Sequence, residues 1–209
     1  NKNSAGVLGD NRDAAGYYCM WTAKAAFVNC TFYENKVIGG QRGGALNVNA
    51  GDLDVINCTI HKNDGKSMGG GIQIRTATAK VRIYNSVIAG NIAATAGMED
   101  FGYDNESAAR AVIRNSVVGT AVYDAGGSIT AGASFDAATM FGTFGNNGGH
   151  TSTITLTGSN NPAVSGGMSA SELSAVVKDT LVPAADAALV TKDQTGANRS
   201  GKQMGACVR

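Results

Sequence analysis

An asparagine returns every 28 to 30 residues along much of this chain, and no other feature limits the possible folds as strongly. Asn29, Asn57, Asn85 and Asn115 each precede a Cys or Ser, in the words NCT, NCT, NSV and NSV, at spacings of 28, 28 and 30. Asn35, Asn63 and Asn91 form a second series, also 28 apart. Glycine words mark a third phase: AGYY at Ala15, GGAL at Gly43, GGGI at Gly69, AGME at Ala96 and GGSI at Gly126. Phase-locked marks at this period are the signature of stacked supersecondary units. Between them lie short alternating runs such as LDVIN from Leu53 and VRIYN from Val81, which read as strands of three to five residues. No segment between the marks carries a helical stripe. Three short strands and three turns in about 28 residues make one coil of a parallel β-helix, each strand pairing with its equivalent one coil away at about 4.8 Å. A leucine-rich repeat has a similar length but needs a Leu-rich consensus that is absent. The expected fold is all-β: a right-handed single-stranded parallel β-helix of four to five coils over residues 1–130. A less regular C-terminal part follows over 131–209.

Strand parity then assigns faces. In LDVIN, Leu53 and Val55 point inward, while Asp52, Asp54 and Ile56 point outward. Asn57 turns the corner, because Asn tolerates left-handed backbone angles and can hydrogen-bond along a ladder. Cys58 and Ile60 then point inward. The same logic places Phe27, Cys30 and Phe32, then Ile83, Ser86 and Ile88, then Ile113, Ser116 and Val118 inside. Asn29, Asn57, Asn85 and Asn115 with Cys30, Cys58, Ser86 and Ser116 are therefore expected to be structural ladders, with Cys30 and Cys58 buried neighbours on adjacent coils. A disulfide between them is sterically possible. Cys19 is expected to face outward, and Cys207 lies in the tail. SASELSAVVKDTL from Ser169 predicts a short helix with Ser169 or Ser171 as N-cap, in a module that covers the last coil.

The 209 residues carry 17 Lys and Arg against 16 Asp and Glu, so no charge argument favours nucleic acid as a partner. No apolar run reaches the roughly 18 residues of a membrane span. The chain starts at Asn1, as expected of a mature or trimmed product. Its four cysteines lack CxxC spacing, which argues against a zinc site.

Two motifs resemble known families. FYEN with GGAL is similar to the FxxN and GGA[ILV] pair of polymorphic outer-membrane-protein repeats. NNGGHTSTITLTGSNNPAVSGG from Asn146, followed by DQTGANRSGKQMGACVR from Asp193, resembles the C-terminal module of bacterial surface β-helix proteins called choice-of-anchor Q proteins. NNPAVSGG and GACVR depart from that family's usual GSPAIDAG and GAYE words. The resemblance implies a pectin-lyase-like superhelix, an anchor-type C-terminal module, and an extracellular or bacterial cell-surface location. It does not imply catalysis.

No catalytic residue, metal ligand or cofactor is expected. Lys24, Asp52, Lys80 and Arg110 align at one outward position, and Asp54 aligns with Arg82 at another, so they read as a ladder of alternating charge. His61 is expected on the outside of a coil, and His150 in a glycine-rich loop. The strand after each glycine mark is the most informative candidate surface. With Tyr18/Met20, Leu46/Val48 and Ile72/Ile74 pointing inward, the outward set is Tyr17, Cys19, Trp21, Asn47, Asn49, Gln73 and Arg75. Amides give bidentate hydrogen bonds, and aromatic faces stack on sugar rings. Tyr17, Trp21, Asn47, Asn49, Gln73 and Arg75 are thus candidate carbohydrate-binding residues, with Trp21, Asn49 and Arg75 nearly in line. The expected function is a non-catalytic secreted or cell-surface β-helix protein (an adhesin, stalk or glycan binder) whose partner is a polysaccharide or host-surface glycan. Two alternatives stand beside it: a lyase or hydrolase acting on acidic polysaccharide, and a structural fragment stacked on further coils of a larger assembly.

Overall fold

A computed structural model describes residues 4–5, 14–39, 42–104, 111–120, 129–130, 136–158 and 160–208; Arg110 and the glycine word at Gly126 lie outside them. In chain order, β1 (Ser4–Ala5) precedes a first coil of β2 (Tyr17–Met20), β3 (Lys24–Val28), β4 (Thr31–Tyr33) and β5 (Lys36–Val37). The second coil holds β6 (Leu46–Asn49), β7 (Asp52–Ile56) and β8 (Thr59–His61). The third holds β9 (Ile72–Ile74), β10 (Lys80–Tyr84) and β11 (Val87–Ile88). The fourth holds β12 (Phe101–Tyr103), β13 (Ala111–Arg114) and β14 (Ser116–Val118), and β15 (Ile129–Thr130) begins another rung. Every ladder is parallel. The first sheet runs β12-β9-β6-β2, the second β13-β10-β7-β3 and the third β15-β14-β11-β8-β4, while β1 pairs with β5. This is the parallel β-helix that the period predicts.

Corner chemistry follows the asparagine series. Asn29, Asn57, Asn85 and Asn115 have φ of 55°, 53°, 53° and 45°, the left-handed region in which Asn costs least among non-glycine residues. After each corner a small polar side chain turns inward. The Ser86 hydroxyl donates to Tyr84 O (2.9 Å) and accepts from the Cys58 amide (3.0 Å), and Ser116 Oγ accepts from the Ser86 amide (3.1 Å). The Cys58 thiol donates to Ile56 O (3.2 Å) in the same way, so Cys and Ser do one job at this position. Cys58 is fully buried, but Cys30, on the first rung, is only half-buried. That corrects the expectation of two equally buried thiols.

Inside the superhelix the second asparagine series makes a continuous amide ladder. Asn35 Nδ2 donates to Asn63 Oδ1 (2.7 Å), Asn63 Nδ2 to Asn91 Oδ1 (2.8 Å), and Asn91 Nδ2 to Asp100 Oδ1 (2.7 Å). Asp100 ends the ladder, with Thr120 donating its amide and hydroxyl to Asp100 Oδ2. Burial raises the Asp100 pKa. Beside this ladder the glycine words bring consecutive coils into close approach: a Cβ at Gly70 would lie 2.3 Å from Ile92 O.

The C-terminal part contains α1 (Ala137–Met140), α2 (Pro162–Ser165) and α3 (Ala170–Val176). Ser169 caps α3 in a reciprocal capping box with Glu172, as the sequence predicts. Its packing differs from expectation. The described residues of this part lie along the flank of the stack rather than over the last coil. Met168, Leu173, Val177 and Val190 pack on Ile56 and Tyr84, on the outer face of the second sheet. Met140, Ala163 and Met204 pack on Val87, Ala89 and Val117, outside the third. The cause is legible in hindsight: Ile56, Tyr84 and Val87 are apolar residues on outward positions of three strands, and they need cover.

Asn63→Ala tests the inner ladder. Asn63 Oδ1 accepts from both the amide and the side chain of Asn35, and its Nδ2 donates to Phe32 O, His61 O and Asn91 Oδ1. Leaving these buried partners unpaired is expected to cost about 3 kcal/mol, measured as a lower urea midpoint with the far-UV β signal retained below it.

Candidate functional site

The register of the first sheet moves the expected binding face. Tyr17 pairs with Leu46 and Cys19 with Val48, so Tyr17 and Cys19 point inward, and Tyr18 and Met20 outward. Tyr17 packs edge-on against Phe27 at 5.2 Å, and Cys19 is fully buried with its thiol donating to Ala23 O. The expectation was inverted on this strand because its coil spacing departs from 28. Tyr17 and Leu46 are 29 positions apart, and Leu46 and Ile72 are 26 apart. A slip of one residue exchanges the two faces. The row across the sheet is consequently Met20, Asn49 and Arg75; Trp21 stands one position beyond it.

The outer face does hold Asn47, Asn49, Gln73 and Arg75, but Asn47 and Gln73 are fully buried. Asp104 organises the cover. It receives Gln73 Nε2 on Oδ1 (2.8 Å), while Arg42 and Arg75 converge on its Oδ2. Arg75 Nη1 also donates to the Tyr18 hydroxyl (2.9 Å). Gln73, Arg42, Arg75, Tyr18 and Asp104 are therefore tied to one another, whereas the buried Asn47 amide has no side-chain hydrogen bond among the described residues.

Trp21 is different. It is 73% exposed, the most accessible of the large apolar side chains described. It follows β2 in a tight turn closed by the Ala23 amide donating to Met20 O (2.9 Å), with φ of 53°. That angle at the second position of a turn is one that glycine ordinarily fills. The turn is held from inside by the Cys19 thiol and from the next coil by Gly51, whose φ is 101° and where a Cβ would meet Ala23 O at 2.5 Å. Trp21, Thr22 and Lys24 of the first coil, Ala50, Gly51 and Asp52 of the second, and Thr78 and Lys80 of the third line an open groove of about 300 Å³. Lys24, Asp52 and Lys80 are in register across it, as the charge alternation predicts. Sequence reasoning selected Trp21 but missed this groove, which straddles a corner rather than lying on one sheet.

The other charged row is structural. Asp54, fully buried, accepts from Arg82 Nε on one oxygen and from the Leu181 amide on the other. A carboxylate held on both oxygens by the chain is not free to take a metal or move a proton. It is also not the exposed pair that the sequence suggests, because the tail covers it. The corner asparagines are spoken for in the same way. Asn29 and Asn57 donate to Leu189 O (2.7 Å) and Val190 O (2.8 Å), and Asn85 Oδ1 accepts the Met168 amide (2.8 Å). In the tail motif, Asp193 Oδ1 gathers the amides of Thr195 and Ala197, while the buried Arg199 donates to the carbonyls of Lys192, Gln203 and Gly205. Burial brings the Arg199 pKa down to about 10, so it remains charged. Among the described residues, no cluster of three or more His, Cys, Asp or Glu could hold a metal ion.

His61 also sits where the tail covers the coils, not on an open surface. Its ring is 7% exposed and stacks on Phe141 at 4.0 Å, and its Nδ1–H donates to Ala89 O (2.8 Å).

These features define a parallel β-solenoid repeat protein whose flank is sealed by its own C-terminal segment and whose groove beside Trp21 stays open. No known family, characterised protein or solved structure matches this chain, so its function is argued from its residues alone.

The burial of His61 makes a pH prediction. Burial lowers its pKa in the folded state, so the native protein favours the neutral ring. The contribution to stability is complete above the unfolded value of about 6.5 and is lost as pH falls through the lower folded value. Urea midpoints at pH 7.5 and pH 5 are expected to differ less in His61→Gln than in the parent chain.

Proposed function

We propose that this chain is a non-catalytic, extracellular β-helix protein of the bacterial surface type, which binds carbohydrate through the groove beside Trp21. The observation that carries the reading is the exposed indole, held on a backbone angle that costs an L-residue about 1 kcal/mol. Asparagine takes such angles at four corners, and Ala14, Glu34, Ala50, Lys62 and Lys66 take them elsewhere, but none of these is an exposed aromatic. Strain kept at an exposed aromatic is a mark of function rather than of packing.

The chemistry suits a sugar. The indole face stacks on the apolar face of a pyranose ring, while Thr22, Thr78, Lys24, Lys80 and Asp52 supply donors and acceptors for its hydroxyls. The groove crosses three rungs, about 10 Å, which is the length of a short oligosaccharide. A single site of this kind binds with Kd on the order of 10 µM to 1 mM and gains avidity when many copies share a surface. The β-helix serves as a stiff display scaffold. The resemblance of the tail to choice-of-anchor Q modules supports a secreted, surface-displayed setting. Against the lyase alternative stands the pairing of Asp54 with Arg82 and Leu181, which leaves Asp52 as the one carboxylate among the described residues lining the groove, where such chemistry needs several converging on a metal.

Two variants test this reading. Trp21→Ala is expected to reduce glycan-array or cell-surface binding at least about tenfold, the loss of one stacking contact. Trp21→Asn supplies the residue this fold prefers at a left-handed corner. It should unfold at the same or higher urea concentration, by up to about 1 kcal/mol, and still lose binding. Full binding in both variants, or a Trp21→Asn chain that is markedly destabilised, would show that Trp21 serves packing. Unsaturated uronide released from pectin or alginate at ordinary enzymatic rates would replace the reading with the lyase.

A further inference from the structure

Cys30 and Cys58 precede the paired residues Thr31 and Thr59, and the Thr59 amide donates to Cys30 O at 2.9 Å. They are thus in register on neighbouring parallel strands, with Cα atoms about 4.8 Å apart. That lies inside the roughly 4.4–6.8 Å that a disulfide spans. Both are free thiols. Their surroundings differ. Cys58 is sealed in the core among Val55, Ile60 and Ile83. Cys30 lines a cleft of about 160 Å³ with Phe27, Thr31, Phe32 and Gln194. Gln194 belongs to the tail and is held there by Thr31, whose Oγ1 lies 2.6 Å from Gln194 Oε1. Interaction with the neighbouring Cys58 side chain lowers the Cys30 pKa, and burial raises that of Cys58. An accessible sulfur that ionises more easily, beside a buried thiol that keeps its proton, is the arrangement of a reactive cysteine and its resolving partner. The fold does not require sulfur here, because Ser86 and Ser116 fill the same position on the next rungs.

We propose that Cys30 and Cys58 are a peroxide-reactive pair that closes into a reversible disulfide between the first and second coils. The Cys30 thiolate attacks one oxygen of a small hydroperoxide entering by the cleft. The O–O bond breaks, the departing oxygen takes a proton as water or alcohol, and Cys30 becomes a sulfenic acid. The Cys58 sulfur then gives up its proton and attacks the Cys30 sulfur. The S–O bond breaks, water leaves and the S–S bond forms. Two thiols lose two electrons and the peroxide gains them. An external dithiol reverses the step by exchange. The bond ties the first coil to the second at the Asn29 and Asn57 corner. The proposal does not depend on what the groove binds.

The test is differential alkylation of the purified, reduced full chain after treatment with hydrogen peroxide. The peroxide is removed and the chain unfolded in guanidinium, where a first maleimide labels the remaining thiols and a second labels those recovered with dithiothreitol. Expected is a matched transfer of Cys30 and Cys58 to the second label, together with a Cys30–Cys58 linked peptide. Cys19 and Cys207, both fully buried, should keep the first label and serve as internal references. Cys58→Ser and Cys30→Ser imitate the next rungs and should fold. In Cys58→Ser, Cys30 should accumulate as a sulfenic acid trapped by dimedone, and in Cys30→Ser, Cys58 should stay reduced. The proposal is overturned if Cys30 and Cys58 keep the first label. It also fails if Cys30 joins a second chain while Cys58 stays free, or if Cys58 oxidises equally well in Cys30→Ser.

Discussion

The left-handed asparagine corner is the constraint on which the rest of this structure depends. A parallel strand can stack on its predecessor only if the chain turns through the same angle at the same place in every coil. A side chain at that turn must accept positive φ and still satisfy its own polar atoms. Asparagine does both. Asn85 Nδ2 donates to Asn57 Oδ1 at 2.7 Å, so the corner also bonds along the stack. With the corner fixed, parity after it is fixed too, and the small Cys or Ser that follows is directed to the carbonyl two residues earlier. The core, the outer charge rows and the surface that receives the tail all inherit their register from this turn.

Most of the coil architecture was therefore legible in the sequence, because the residues that set it repeat. The second and third sheets hold the spacing of 28 where the asparagines hold it, and Lys24, Asp52 and Lys80, or Asp54 and Arg82, fall opposite one another as expected. The first sheet has no asparagine corner of its own, and there the reading failed. The glycine word before Tyr17 is one residue shorter than the word before Leu46, and that single residue sends Tyr17 and Cys19 into the core. The place of the tail was not legible either. It meets Asn29, Asn57, Asn85 and Asp54 largely through its own backbone amides and carbonyls, and covers apolar side chains that look unremarkable one at a time, so nothing in its own words names the flank it covers.

The candidate site lies where these two kinds of information meet. Trp21 was visible as an exposed aromatic, but its value depends on a turn whose strain no composition or period reveals. Gly51 on the next coil gives way to that turn, and Lys80 on the coil after contributes to the groove. A binding surface on a solenoid is assembled from residues roughly one coil apart in sequence, so its members are found by register rather than by proximity in the chain.

The flank-bound tail also changes what kind of repeat protein this is. In an open solenoid each unit touches only its neighbours, folding spreads from any point, and units can be gained or lost with local effect. Here Asn29 meets Leu189 and Asn57 meets Val190, contacts that span 160 and 133 positions. Such contacts raise the contact order of a topology otherwise built from steps of one coil. On the ribosome the coils emerge first, with Ile56, Tyr84 and Val87 still bare, and are sealed only when the last segment arrives. The same clasp fixes the number of rungs it spans. A duplicated or deleted coil would put each downstream asparagine opposite the wrong carbonyl, so this stack is not free to lengthen and shorten one repeat at a time.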